Sequence, residues 1–283
     1  MAKIKYWLIR GDCHGWFGWI DNQLKNYPRK ETAVIILGDA GFNFYLNKSD
    51  IRTKREVDSK SYYIYCVHGN HEMRPQNLDF AVEEWDDNVG GYIYYEAEFP
   101  HIRYFKDYGI YTINGYRCLV VGGAYSVDKW WRLQRAGIAD THNPNYTNPK
   151  KTGWFFDEQL TTQEMADCEQ MITASGNNTF DFIFTHTCPK KFQPSDLFLK
   201  AVNQSDVDNS MEVWMDNLSE KIVVNFAWCF GHYHADRLER PHVEQYYNDI
   251  EQLDVIADRW KKFNEDETSL DWWLVKSPNF YMR

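Results

Sequence analysis

The sequence predicts an α/β protein whose buried strands end in polar clusters. Three observations carry this. First, five short apolar runs each pass into a polar group at their C-terminal end: KYWLIRGDCHG, TAVIILGDAG, SYYIYCVHGNHE, FDFIFTHTCP and NFAWCFGHYH. Runs of this kind read as buried strands. Second, stretches with helical or turn character separate them, and strands alternating with helices build sheets whose sites gather at the carboxyl ends of the strands. Third, 283 residues with 43% apolar content can bury one substantial core.

Taken in order, the first strand lies in KYWLI and is followed by WFGWIDNQLKN, a short amphipathic helix. TAVIIL is the second strand, and NKSDIRTKREVDS is a polar helix or excursion before the third, SYYIYCV. YTINGYRCLVVGGAYS predicts a hairpin with Asn114-Gly115 in the tight turn. Residues 128–153, rich in Trp, Asn, Pro and Gly, read as a long loop, and DEQLTTQEMADCEQMITAS reads as a helix. After the last two apolar runs, HVEQYYNDI suggests another strand, followed by a polar tail ending in SLDWWLVKSPNFYMR. No linker divides the chain. The expectation is one domain over 1–283, with a loop insertion near 124–153 and an extension after about 235.

Composition narrows the function classes. With 41 acidic against 31 basic residues the formal charge is −10, and no basic run offsets it, which argues against a long nucleic-acid partner. The six cysteines are scattered with no C-x-x-C pair, so they suit reduced thiols rather than a zinc knuckle or a disulfide scaffold. No apolar run approaches membrane-spanning length or has the form of a signal peptide, and the expected location is the cytoplasm. Aromatic residues make up 17% of the chain; most are expected in the core, while Trp130 and Trp131 in DKWWRL could line a groove.

The polar clusters at the strand ends are Asp12-x-His14, Asp39, Asn70-His71, His186 and His232-x-His234. In extended backbone, residues i and i+2 point the same way, so each paired motif can address one point. Carboxylate and imidazole together suit borderline divalent metals such as Mn, Fe, Zn or Ni. Asp12, His14, Asp39, Asn70, His186, His232 and His234 are too many ligands for one ion and about right for two that share a bridge.

Together, GDCHG, the GD at 38–39, GNHE, the His of FTHT and GHYH resemble, in order, the five motifs of the calcineurin-like metallophosphoesterases. GGAYSVDKWWRLQ followed by GWFFDEQLT is similar to a bacterial and phage-type subgroup of that superfamily. The resemblance implies a four-layer αββα sandwich with two mixed β-sheets and a phosphoester hydrolase with a dinuclear centre and a metal-bridging hydroxide. It implies Asp12, His14 and His234 on the first metal, Asp39 as bridge, and Asn70, His186 and His232 on the second, with manganese favoured. His71 would be the general acid or a stabiliser of phosphate charge, with Asp39 also counted as catalytic. Phosphoprotein phosphatases carry a further Asp and Arg just after the second motif, where this chain reads GDAGFN. Arg74 and Arg132 are therefore the expected phosphate clamps, beside Asn70. A phosphatase acting on a small-molecule or protein phosphoester is the leading expectation. A phosphodiesterase stacking a nucleotide base on Trp130 or Trp131 is the alternative, and a binding scaffold without chemistry is the third. His68, His101, His142 and His242 lie outside the motifs and are expected to be structural or superficial.

Overall fold

The computed structural model describes residues 3–266 and 281–282. Two mixed, seven-stranded sheets lie face to face. In the first sheet, β1 (Tyr6–Arg10), β2 (Thr32–Ile36), β3 (Tyr63–Cys66) and β6 (Ile102–Phe105) run parallel. Antiparallel strands β5 (Gly91–Glu96) and β4 (Ala81–Asp86) extend it on one side and β13 (Glu251–Gln252) on the other. In the second sheet, β8 (Tyr116–Val121), β9 (Thr179–Thr185), β10 (Val223–Phe230) and β12 (Val243–Gln245) run parallel. The flanks of that sheet are β7 (Tyr108–Ile113) on one side, and β11 (Arg237–Arg240) with β14 (Tyr281–Met282) on the other.

Period-two alternation in doubly buried strands sorts the core into layers. Trp7, Ile9, Ile35 and Tyr65 point inward and meet Val120, Phe182, Phe184 and Cys229 of the second sheet. Their neighbours Leu8, Val34 and Ile64 point outward, under α1 (Ile20–Gln23) and α2 (Lys48–Ser59). On the other outer face, Leu119, Ile183 and Trp228 are covered by α5 (Thr162–Ala174) and α6 (Ser210–Ser219). Each fully buried ring of this kind contributes about 1.5–3 kcal/mol. This is the αββα order expected from the sequence.

Four local expectations change. WFGWIDNQLKN forms only the single turn α1, because Phe17 leaves the helical path to stack on Phe42, 4.6 Å between centroids. The 128–153 stretch holds α3 (Lys129–Arg135) and α4 (Pro149–Thr152) around a satellite core of Leu133, Ile138 and Trp154. The stretch after HVEQYYNDI holds the amphipathic helix α7 (Leu253–Glu265), whose Ile256, Ala257 and Trp260 plug the core between the sheets. The rest of that tail, apart from Tyr281–Met282, lies outside the described residues. Strands β4 and β5 carry half-exposed, charged sequences such as AVEEWD, so they lack the apolar run that marks a buried strand. The Asn114-Gly115 hairpin forms as expected, both residues having positive φ. Likewise α5 starts with a complete capping box between Thr161 and Glu164.

Candidate metal centre

The parallel register of β1, β2 and β3 brings three strand ends to one edge of the first sheet, and β9 and β10 do the same in the second. The loops leaving these strands carry every residue of the five motifs. His14 and His234 meet Nε2 to Nε2 at 3.0 Å, and His234 Nε2 lies 3.2 Å from Asp12 Oδ2. Asp39 Oδ2 stands between two imidazoles, 4.0 Å from His14 Nε2 and 3.5 Å from His186 Nε2. His186 Nε2 is 2.8 Å from Asn70 Oδ1, and its ring packs edge-on against His232 with centroids 4.9 Å apart. Donor atoms of Asp12, His14 and His234 lie within 4.8 Å of one another, as do those of Asp12, Asp39 and His186. The two donor groups share the Asp12 carboxylate.

The convergence does not come from extended backbone. His14, Asp39, His232 and His234 have φ of 45°, 49°, 67° and 55°, the left-handed region. Non-glycine residues there are uncommon and strained, and they persist where the surroundings over-determine them. The loops after β1, β2 and β10 therefore turn back sharply at these residues, which i, i+2 alternation could not have aimed. Two glycines make room for this. A Cβ on Gly38, at φ +90°, would sit 2.1 Å from His186 Nδ1, and one on Gly69 would sit 2.1 Å from Asp39 Oδ1. Glu72, the last residue of GNHE, ties the loops together by accepting from Gly69 N at 3.1 Å and Gly41 N at 3.2 Å. Burial, then the nearby Asp39 charge, pushes its carboxyl up to about 8.

Burial alone would push the two aspartates upward. For Asp12 the His234 bond, and for Asp39 the charges of His186 and His71, hold them below the ordinary carboxylate range instead. Against its own burial, His186 is raised to about 9 by Asp39. Burial, then the His186 charge, drives His232 down to about 3. The two carboxylates thus raise His186, while burial and the His186 charge lower its neighbour His232. Asp12 Oδ2 is buried and has no hydrogen-bond partner of good geometry, although His234 is near. Carboxylate oxygens, imidazole nitrogens and an amide oxygen converging on one point fit divalent cations.

His71 sits beside the cluster without belonging to either donor group. Its backbone N–H donates to Asp39 Oδ1 at 2.8 Å, and its ring lies 5.6 Å from that of His14. Burial lowers its pKa; Asp39 and, more weakly, Asp128 raise it, while Arg132 lowers it. Asp128 lines the same cleft as His71 and adds a weaker negative charge to that of Asp39. The sequence signal was present in DKWWR, where Asp128 precedes Arg132 by one helical turn. Arg132 donates to Asp128 Oδ2 and to Gly153 O, both at 2.7 Å, and lies over the Phe44 ring at 5.6 Å.

Arg74 requires a correction. Its guanidinium is buried and donates to Asp107 at 3.1 Å, Glu164 at 2.5 Å, and the carbonyls of Asp157 and Gln159 at 2.7 Å each. With its donors satisfied by protein, it pins the loop after β3 to the start of α5 and is not a phosphate clamp. The remaining histidines are structural or superficial: His68 is buried beside Asp107, His101 pairs with Asp58, His242 packs on Trp260, and His142 is exposed. Burial pushes the Cys13 thiol up to about 12, which suits a packing role.

A cleft of about 280 Å³ opens from the centre. Its lining combines Asp39, Asn70, His71, His232 and His234 with apolar residues of the 197–207 segment, and Tyr233 and Glu212 also line it.

A family model, calcineurin-like phosphoesterase, matches residues 8–236. The chain belongs to this family, and is therefore a metal-dependent phosphoester hydrolase. No protein of curated function matches it in sequence. Among solved structures, it is similar to a phosphopantetheinyl hydrolase from Mycobacterium tuberculosis (11% identity, 94% of each chain, TM-score 0.37). It is also similar to a protein of unknown function from Aquifex aeolicus (14% identity, 64% of this chain and 80% of that one, TM-score 0.28). Among the described residues, no helix is long and apolar enough to cross a membrane.

Proposed function

We propose that the enzyme is a dinuclear phosphatase, cleaving phosphomonoesters at the edge where the two sheets meet. The observation that carries this is the pair of donor clusters sharing Asp12, with Asp39 Oδ2 between His14 and His186. Asp12, His14 and His234 would hold one cation and Asn70, His186 and His232 the other, with Asp39 between them; the mixed carboxylate and imidazole, thiolate-free donor set suits Mn, Fe, Zn or Ni, of which we favour manganese. Cations bound there would supply an activated water near neutral pH and neutralise phosphoryl charge.

The chain's own groups do the rest. Asp12 accepts from His232 N at 2.8 Å, so the carboxylate is oriented while its second oxygen stays free. Asn70 Nδ2 donates to Ser126 Oγ at 2.8 Å, which turns its Oδ1 toward His186. His71, on the cleft wall, would donate its ring proton to the leaving oxygen. Arg132, beside it, adds positive potential, although two of its donors are engaged by protein.

A second reading, diester cleavage of a nucleotide, draws on one feature. Trp131 is 57% exposed, has the Arg135 guanidinium 5.3 Å from its ring, and lines a groove with Lys150 and Lys151. A base could stack there. Six free, buried thiols suit a reducing, cytoplasmic setting for either reading.

Metal analysis of purified protein, with a panel of nitrophenyl phosphate, alkyl phosphates, bis-nitrophenyl phosphate and cyclic nucleotides, tests these readings. Two ions per chain and a higher kcat/KM on monoesters are expected. Preference for diesters would install the second reading, and a single tightly bound ion would remove the dinuclear one.

A further inference from the structure

The 197–207 part of the cleft lining has a chemistry that phosphate hydrolysis does not call for. Leu197, Phe198, Leu199, Val202 and Val207 line it, and Leu199 is 63% exposed, a high value for a large apolar side chain. Behind them Glu212, on α6, lines the same cleft while only 3% exposed. Its Oε1 accepts from Thr187 Oγ1 at 2.9 Å, and Oε2 has no hydrogen-bond partner.

Thr187 is itself fixed by Tyr233, which is held by Gln193, so the carboxyl group is set rather than adrift. A buried carboxylate oxygen without a donor is costly, and native proteins keep one where something else supplies the partner. Of the charged residues felt at Glu212, Asp208 and Lys190 are opposite in sign, and Lys190 makes no bond to it. Asp128 adds another negative charge to the cleft lining.

Resting on the phosphatase reading, we propose that the preferred substrates are phosphomonoesters of amphipathic amino alcohols. The phosphoryl group faces the metal ligands, the carbon chain lies on the 197–207 wall, and a terminal ammonium donates to Glu212 Oε2. The apolar wall removes water from the methylenes, and the buried carboxylate gains the hydrogen-bond donor it lacks. Burial, opposed first by the residue's own backbone N–H, then by the bond from Thr187 and last by the Lys190 charge, raises the Glu212 carboxyl to about 7, and a bound ammonium would hold it ionised.

The test compares ω-aminoalkyl phosphates with n-alkyl phosphates of matched length, from three to eight carbons, on wild type, Glu212→Gln and Leu199→Ser. Wild type should prefer the amino ester at its best length by about tenfold or more in kcat/KM, the scale of a charged hydrogen bond made in a dry site. Glu212→Gln should collapse that ratio toward one, and the ratio cancels any general damage to the enzyme. Leu199→Ser should lower both series together and leave the ratio intact. Calorimetric binding of the best aminoalkyl phosphate, weakened in Glu212→Gln, reads the same contact without turnover. A wild-type ratio near one, or a preference that survives Glu212→Gln, overturns the proposal. If nitrophenyl phosphate is hydrolysed while the ratio is flat, the phosphatase reading stands and this one falls. If no monoester is hydrolysed, the phosphatase reading falls and takes this substrate proposal with it, even where Glu212-dependent binding is seen.

Discussion

The two walls of the cleft are built on opposite plans. On the metal side the ligands are locked: four have left-handed backbone, Asp12, Asp39, Asn70 and His186 are almost fully buried, and Glu72 staples the loops between Gly69 and Gly41. In the 197–207 part of the lining, the chain forms short turns with exposed Leu197 and Leu199. The contrast teaches which part can vary. Charge that must converge within a few ångströms needs rigid, strained, over-determined positions, whereas recognition of a leaving group tolerates a wall that gives.

The largest expected effect breaks the locked side. Asp39→Asn keeps the shape but removes the charge that lies between His14 and His186, so kcat/KM should fall by about 10⁴ or more and metal content per chain should drop. Near-normal turnover with two ions retained would show that the locked wall is not the reaction centre.

Next in size is His71→Asn, which touches the seam between the walls. Both ions should remain, while the rate on alkyl phosphates falls by roughly 10²–10⁴, the range for a lost general acid. Nitrophenyl phosphate, whose leaving group needs little protonation, should lose much less. The pH profile gives the sign. Because His71 is lowered from its usual 6.5, its protonated form is present only at lower pH. Activity on alkyl phosphates should therefore decline as pH rises through a value below 6.5, and His71→Asn should abolish that limb. An equal loss across leaving groups would recast His71 as a stabiliser of phosphate charge.

The smallest effect on catalysis is expected behind the locked wall. Arg74→Met leaves Asp107 and Glu164 without their cation, so chemical denaturation should show a loss of about 3 kcal/mol, the lower end for breaking a buried pair. KM for phosphate esters should stay within about twofold. A large rise in KM with stability intact would return Arg74 to the substrate.

How much of this was legible follows the period of the signal. Strands β1, β2, β3, β9 and β10 announce themselves because doubly buried parallel strands are continuous apolar runs, and the motif residues sit directly after them. Strand β4 and helix α3 were not visible. The first is half-exposed, and the second owes its burial to Leu133 packing with Ile138 and Trp154 from later in the chain. Asp128 was passed over and Arg74 misjudged for one reason: a charge in a motif names its residue but not its partner, and partners come from distant segments.

By itself the sequence determined the α/β class, the family, and the identity of the residues whose side chains gather at the strand ends, because local apolar runs and short motifs encode these directly. Only the tertiary structure decided that left-handed turns at His14, Asp39, His232 and His234, rather than alternation, aim the ligands. Tertiary packing alone also satisfied Arg74 and left the buried Glu212, on the lining of the cleft, with one oxygen that has no hydrogen-bond partner. Backbone handedness at a loop and the pairing of buried charges depend on what packs against them, and that is not written in any local stretch of the chain.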